Sequence, residues 1–274
     1  MAGIGQEDTL PGGGPPLVPA DGAAVAPAAV EASWAARSCV GHRRRENQDR
    51  WGAQGGRRFV VADGMGGHAA GATAAALVRD GVLGAAAGAW ESELHQLNAA
   101  VRAIPCDTER APGSTLVLLD LEQTRATVVS VGDSRIYRWR GGRLEPLTVD
   151  HTVRGELLSA GLDADALTDA RRGRGLTSYL GVDPASLRVD VVDVPVRAGD
   201  RFLLCSDGIH GQLDGRSIAR ALADVDVGSA LDAVFARWFR ARGPDDATAV
   251  LVAPQVPPSA AAQSGDERDH PAGR

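Results

Sequence analysis

Several aspartates in this chain stand directly beside apolar runs of strand character. Asp63 ends Phe59-Val60-Val61-Ala62, Asp133 follows Val128-Val129-Ser130-Val131-Gly132, and Asp207 follows Phe202-Leu203-Leu204-Cys205-Ser206. Asp245 and Asp246 precede the apolar run 247–252. Buried strands would deliver these carboxylates to sheet ends, where they can converge. Carboxylates packed together repel one another and cannot all ionise without cations. Hard oxygen donors suit Mg2+ or Mn2+ rather than zinc, and no His-Glu-x-x-His pattern competes as a zinc site. Taken singly, an aspartate at a strand end is more often a turn or N-cap residue than a ligand. The glycines shift that balance. Asp63-Gly64-Met65-Gly66-Gly67-His68 places three glycines in the five positions after Asp63, directly before a helical pattern. Bare backbone lets a carbonyl or amide approach an ion or a phosphate closely. Asp207-Gly208 repeats the device.

The elements that must position these groups follow from periodicity. Runs at 34–40, 58–62, 114–121, 126–131, 135–140, 187–194, 201–205 and 247–252 read as strands, with Gly141-Gly142 as a hairpin turn after the fifth. Leu77, Val78, Val82 and Leu83 share one face of an Ala-rich helix over 69–89. Further helices are expected at 91–102, 216–223 and 229–242, with a helix and an Arg/Gly-rich loop in 150–180. Strands are mostly consecutive and helices fall in blocks, which favours antiparallel sheets covered by helices over a parallel α/β fold.

Composition bounds the class. The chain has 274 residues, enough to bury a real core. Aromatics make up 4%, so that core must rest on Ala, Val and Leu. Residues 1–30 hold 7 Ala, 6 Gly and 5 Pro without amphipathic period. We expect a disordered leader over 1–32, one folded domain over 33–253, and a disordered tail over 254–274. The net charge of −6 argues against bulk nucleic-acid binding. All 29 basic residues are Arg. No apolar run reaches membrane-spanning length and no basic-then-apolar start marks a secretory signal, so the expectation is a cytoplasmic protein without a membrane partner. Cys39, Cys106 and Cys205 are far apart and in no Cys-x-x-Cys spacing, which argues against disulfides and thiolate zinc.

The ordered motifs resemble the metal-dependent protein phosphatase family, type 2C, in its bacterial branch. They are Arg44-Arg45-Glu46-Asn47-Gln48-Asp49, Asp63 to His68, Gly113-Ser114-Thr115, Gly132-Asp133-Ser134-Arg135, the stretch 176–181, Ser206-Asp207-Gly208, and Gly243-Pro244-Asp245-Asp246-Ala247-Thr248. The resemblance spans roughly residues 34 to 252. It implies an α+β fold, a four-layer α-β-β-α sandwich with two antiparallel sheets flanked by helices. It implies a protein-serine/threonine phosphatase using two Mn2+ or Mg2+ ions, with a third, looser site. Asp63 would bridge the two metals and Gly64 would offer its carbonyl to one. Asp207 and Asp245 would bind the first metal, Asp49 would stand beside the pair, and Asp133 would serve the third site. Arg44 would grip the substrate phosphate, with Arg43 and Arg45 as surface residues. A metal-bridging hydroxide would then attack phosphoserine or phosphothreonine in line with the leaving oxygen. Partners would be phosphorylated proteins made by a Ser/Thr kinase, and the chain would act as a monomer.

Three positions depart from the family pattern. Gln48 stands where a metal-binding Glu is common, and an amide brings no negative charge. Met65 stands where eukaryotic relatives carry a His acid; His68 nearby reads as a helix-start residue. Asp246 replaces a common Asn, which reads as a neutral change that adds charge near the metals. The Gln48 departure supports an alternative, a catalytically weak relative acting as a phosphoprotein-binding signalling module. A third reading is a hydrolase of small phosphoesters. The flap over 150–180 carries Arg171, Arg172 and Arg174, which read as a solvated loop or as a contact for an acidic partner.

Overall fold

Strand β4 (Arg58–Ala62) shows how the layers are built. Phe59 and Val61 belong to one buried cluster, whereas Val60 and Ala62 belong to another. Alternation of period two sends neighbouring side chains to opposite faces, and here both faces are covered. Strands β12 (Arg201–Cys205) and β13 (Ala247–Pro254) behave likewise. Phe202, Leu204, Val250 and Val252 join Phe59 and Val61 between the sheets. Leu203, Cys205, Ala249 and Leu251 face the helices on the other side.

The structure is a computed structural model that describes residues 10–11, 32–66, 69–106, 111–162, 175–224 and 226–256. The remaining elements are β1 (Leu10–Pro11), β2 (Ala32–Cys39), β3 (Arg50–Gln54), β5 (Gly64–Met65), α1 (Ala69–Gly84), α2 (Trp90–Arg102), β6 (Gly113–Ser114), β7 (Leu116–Leu121), β8 (Arg125–Val131), β9 (Arg135–Arg140), β10 (Arg143–Pro146), α3 (Val153–Ser159), β11 (Asp190–Pro195), α4 (Asp207–His210), α5 (Gly215–Ala221) and α6 (Val227–Arg240). One sheet runs β1-β2-β13-β12-β9-β10 and the other β11-β8-β7-β4-β3. Every pairing in them is antiparallel. Helices α1 and α2 pack through Ala74, Val78, Val82, Leu94 and Val101 on the second sheet, and α5 and α6 through Ile218, Leu231, Val234 and Trp238 on the first. This is the expected four-layer α-β-β-α sandwich.

Several boundaries differ from expectation for local reasons. Helix α1 stops at Gly84 rather than 89. There the Arg58 guanidinium takes the carbonyls of Val82, Leu83 and Ala85, and Gly88 adopts φ 93°. The run 114–121 breaks at Thr115, where β6 leaves the sheet to pair with β5. Strand β11 begins at Asp190 rather than 187, after a 3-10 turn over Pro184–Ser186. Strands β3 and β10 carry no clean apolar alternation and were not expected; both lie at sheet edges, where one partner strand suffices. Strands β2 and β13 each extend one residue past the expected domain limits, pairing Ala32 with Pro254. Leu10–Pro11 pairs with Ala35 and Ala36 of β2; the rest of the expected leader, and 257–274 of the tail, lie outside the described residues.

Candidate metal centre and active site

Strand β4 ends by handing Asp63 to the top of the sandwich. The Asp63 N–H donates to Thr115 Oγ1 at 3.0 Å, and the Thr115 N–H returns a bond to the Asp63 carbonyl at 2.9 Å. Strands β5 and β6 then pair Gly64 with Ser114. Gly64 must lack a side chain: a Cβ there would sit 2.2 Å from the Gly71 carbonyl oxygen in α1. The Thr115 hydroxyl also meets Ser134 Oγ at 2.7 Å, tying the Asp63 loop to the Asp133 loop.

Loop 40–49 reaches the same end because loop 243–246 holds it. The His42 N–H donates to the Gly243 carbonyl and the Arg43 N–H to the Pro244 carbonyl. Asp246 accepts from the Gly41 N–H at Oδ1 and from the Gln48 N–H at Oδ2, both at 3.0 Å. This corrects the expectation for Asp246. Both of its oxygens are used as acceptors inside the protein, which an Asn amide cannot reproduce, so the residue is a loop clamp rather than a neutral change. The clamp sets Asp49, which is buried, with Ser206 Oγ donating to its Oδ2 at 2.7 Å.

Asp207 opens α4 at the end of β12. Asp133 is fixed through its backbone: its carbonyl accepts from His210 Nε2 at 2.9 Å. Burial holds the His210 pKa down at about 4, so the ring is neutral at pH 7. The preceding Gly132 N–H donates to His151 Nδ1 at 3.2 Å, and His151 Nε2 meets Asp190 Oδ2 at 3.1 Å. Sequence reasoning missed His151, Asp190 and His210 as supports of this loop. Asp190 lies 39 residues from His151 and Asp133 lies 77 from His210, so no local pattern marks the pairs.

The electrostatics bring the expected acids together. Burial, and then the charges of Asp49, Asp207, Asp133 and Asp245, hold Asp63 well above the ordinary carboxylate range. Burial raises Asp49 to about 7, with Asp246 and Asp207 adding to the rise. Burial and Asp207 raise Asp133 to about 7. Arg44 stands half-exposed at the rim and donates to Asp245 Oδ2 at 2.7 Å. Among the described residues no three His, Cys, Asp or Glu side chains are drawn into a shared ligating geometry, and the Asp245 carboxylate is turned onto Arg44. The donor set nonetheless fits hard divalent cations. It is all oxygen, its acids raise one another, and the buried Oδ1 of Asp49 has no hydrogen-bond partner. His68, Arg171, Arg172 and Arg174 lie outside the described residues.

Gln48 is buried, and its Oε1 lies where a Cβ on Gly71 of α1 would come within 2.8 Å. Exchanging this amide for a carboxylate adds a full negative charge near the acids. Gln48→Glu is therefore expected to lower half-saturating Mn2+ by about tenfold, about 1.4 kcal/mol. Coincident metal titrations of the two proteins would remove any functional weight from this departure.

The family model described as Protein phosphatase 2C matches residues 17–253. The serine/threonine protein phosphatase PstP of Mycobacterium tuberculosis is 35% identical over 237 residues, which cover 80% of this chain and 44% of that protein. The chain thus spans less than half the length of this curated relative. Among solved structures, PppA of Pseudomonas aeruginosa superposes with a TM-score of 0.72 at 32% identity, covering 82% of this chain and 98% of that one. The catalytic domain of a serine/threonine protein phosphatase PstP, solved in complex with two manganese ions, gives 0.71 at 29% identity, covering 81% of this chain and 98% of that one.

Proposed function

The chain belongs to the protein phosphatase 2C family, and from that premise we propose that it is a metal-dependent protein serine/threonine phosphatase acting on phosphoserine and phosphothreonine. The observation that carries the reading is the set of mutually raised carboxylates, buried Asp49 and partly buried Asp63 and Asp133, beside Asp207, with Arg44 at the rim. Asp49, Asp63, Asp207, Asp245 and the Gly64 carbonyl would hold two Mn2+ or Mg2+ ions, and Asp133 would serve a third, weaker site. The relative solved with two manganese ions supports this. Bound divalent cations supply an acidified water and charge neutralisation at the phosphoryl group.

The chain's own groups do the rest. The Arg44 guanidinium offers a planar fork of donors that matches two phosphate oxygens. Its half-exposed position lets it exchange Asp245 for a substrate phosphate without moving backbone. Asp49 is buried and Asp63 partly buried, so charges at this end of the sandwich are less screened than in bulk water. Substrates are phosphorylated proteins made by a Ser/Thr kinase, and the active unit is a monomer in the cytoplasm. Three free cysteines support a reducing compartment, and no helix among the described residues is long and apolar enough to cross a membrane.

The test is Mn2+-dependent phosphate release from a phosphothreonine peptide, set against small phosphate esters. Release from the peptide alone supports the protein-phosphatase reading. Binding of the peptide without turnover would favour the signalling-module alternative that Gln48 motivates. Within the same assay, Arg44→Ala is expected to raise KM about tenfold, about 1.4 kcal/mol, with a smaller fall in kcat. A guanidinium that holds phosphate in both ground and transition states supplies largely uniform binding. An unchanged KM would move the phosphate-binding role to another arginine.

A further inference from the structure

Gly132, one position ahead of Asp133, gives both of its backbone groups to His151. Its N–H donates to His151 Nδ1 at 3.2 Å, and its carbonyl accepts from the His151 N–H at 2.8 Å. The imidazole is fully buried, and its Nε2 meets Asp190 Oδ2 at 3.1 Å. Asp190 is braced in turn: Arg188 Nε donates to its Oδ1 and Arg188 Nη2 to its Oδ2, both at 2.9 Å. The Arg188 N–H donates to Ser178 Oγ at 2.8 Å, and Ser178 Oγ donates to the Arg188 carbonyl at 3.2 Å. His151 also stands at the foot of the flap. Thr152 and Leu176 pair antiparallel there, with the Thr177 N–H donating to the His151 carbonyl at 2.9 Å and the Val153 N–H to the Gly175 carbonyl at 3.2 Å.

Proton counting fixes the state of the ring. A peptide N–H can only donate, so Nδ1 must present a lone pair to Gly132. The one proton of the neutral imidazole is then on Nε2, where the Asp190 carboxylate accepts it. An imidazolium would set a second proton against the Gly132 N–H. Gly132 has little room to adapt: it sits at φ 98°, and a Cβ on it would lie 2.7 Å from Thr115 Cγ2. On the far side the Asp133 carbonyl accepts from His210 Nε2 at 2.9 Å, so the peptide groups before and after Asp133 are both pinned by imidazoles. A buried donor stripped of its acceptor carries its full desolvation cost. Without His151 Nδ1 the loop must therefore shift, and the Asp133 carboxylate shifts with it.

We propose that His151, in its Nε2–H tautomer with Asp190 as proton acceptor, is a positioning residue that bolts the Asp133 loop to the foot of the flap and sets the Asp133 carboxylate for the weaker divalent cation. The inference rests on the reading of Asp133 as a ligand of a third site and deepens it. His151 touches neither cation nor substrate in this scheme; it acts only through the Gly132 peptide. Hydrogen-bond partners directly behind a metal ligand are worth about 10–100-fold in metal affinity. His151 acts one peptide further back, so the lower end, about tenfold, is expected.

The experiment titrates the chelator-stripped full chain with Mn2+ alone, counting free Mn2+ by electron paramagnetic resonance, without substrate. His151→Leu removes the ring nitrogens; His151→Asn places an amide oxygen close to Nδ1 and keeps an acceptor for Gly132. The expected result is a third, weakest Mn2+ bound about tenfold less tightly by His151→Leu and within about threefold of the wild type by His151→Asn, with the two tighter ions held within about twofold in both. Asp190→Ala, at a half-buried position, frees the ring without emptying its site and is expected to weaken the third ion in the same direction by about threefold. Long-range proton–nitrogen NMR of the metal-free wild type, with the His151 signals assigned by their loss in His151→Asn, should show Nε2 protonated and Nδ1 bare. A protonated Nδ1 overturns the inference. So does a third ion bound equally well by the wild type, His151→Leu and Asp190→Ala, or equal weakening of all three ions, which would mark general damage rather than positioning. His151→Asn as weak as His151→Leu overturns it too, since packing rather than the Gly132 bond would then matter. A wild-type chain that binds two Mn2+ and no third overturns the reading of Asp133 and this inference with it.

Discussion

Asp63→Ala is expected to cut phosphatase turnover by at least about a thousandfold, which corresponds to about 4 kcal/mol of lost transition-state stabilisation. Asp63 sits at the centre of the acidic field, sensing Asp49, Asp207, Asp133 and Asp245. Removing it deletes the carboxylate best placed to serve two cations at once. The fold should survive, because the backbone of residue 63, not its side chain, makes the bonds to Thr115. Metal-free stability should hold or rise, since like-charge repulsion among buried acids is relieved. Asp63→Asn, which keeps the shape and drops the charge, should match the alanine variant in turnover. The measurements are phosphopeptide turnover at saturating Mn2+ and the melting temperature in chelator. Turnover near the wild type in either variant would sink the two-metal reading.

Gly208→Ala is expected to be the most damaging single methyl group added to this protein. A Cβ at Gly208 would lie 1.9 Å from the Asp246 carbonyl oxygen, 2.8 Å from its carbon and 3.2 Å from the Ala247 Cα. All three obstacles are backbone. The opposing strand start cannot swing aside, because the Ser206 N–H is bonded to the Thr248 carbonyl and the Gly41 N–H to Asp246. Overpacking typically costs 1–3 kcal/mol where side chains can adjust; here nothing flexible is available, so about 3 kcal/mol or more is expected. For a domain of this size that is roughly a 6–12 °C fall in melting temperature. The neighbouring Asp207 moves with its backbone, so Mn2+ affinity should fall as well. Gly215→Ala is the control. Its Cβ would meet nothing nearer than Leu144 Cδ2 at 3.9 Å, and it opens helix α5. It should be neutral or stabilising by up to about 1 kcal/mol. Equal melting temperatures for the two variants would show that the close approach at Gly208 is not rigid.

The two predictions mark different sources of information. Asp63 was readable as a candidate ligand because an apolar run, an acid and a glycine-rich turn are neighbours in the chain. The same holds for Asp207-Gly208, and for the strands at 58–62, 135–140 and 201–205, which the structure reproduces residue for residue. Side-chain alternation and turn chemistry are local properties, set by sterics within a few residues, so a single sequence carries them. The Ala-rich helix was readable too, but its end was not. Its stop at Gly84 depends on Arg58, which reaches in from a strand 25 residues away in the chain.

What only the tertiary structure decided is which groups share a partner. Asp246 looked like a spare charge, and packing made it the clamp of loop 40–49 through Gly41 and Gln48, 205 and 198 residues away. Arg44 and Asp245 are 201 residues apart, Ser38 and Thr248 210, and Ser206 and Asp49 157. The edge strands β3 and β10 are polar enough to pass for loops until a neighbour supplies a ladder. A hydrogen bond needs its two atoms within about 3 Å and aligned, and which distant atoms meet is set by the register of β2 on β13 and β12 on β13. Local composition selects the acids and the strands that lift them; strand register, a property of the folded sheets alone, determines which distant groups meet them, as Ser206 Oγ meets Asp49 Oδ2.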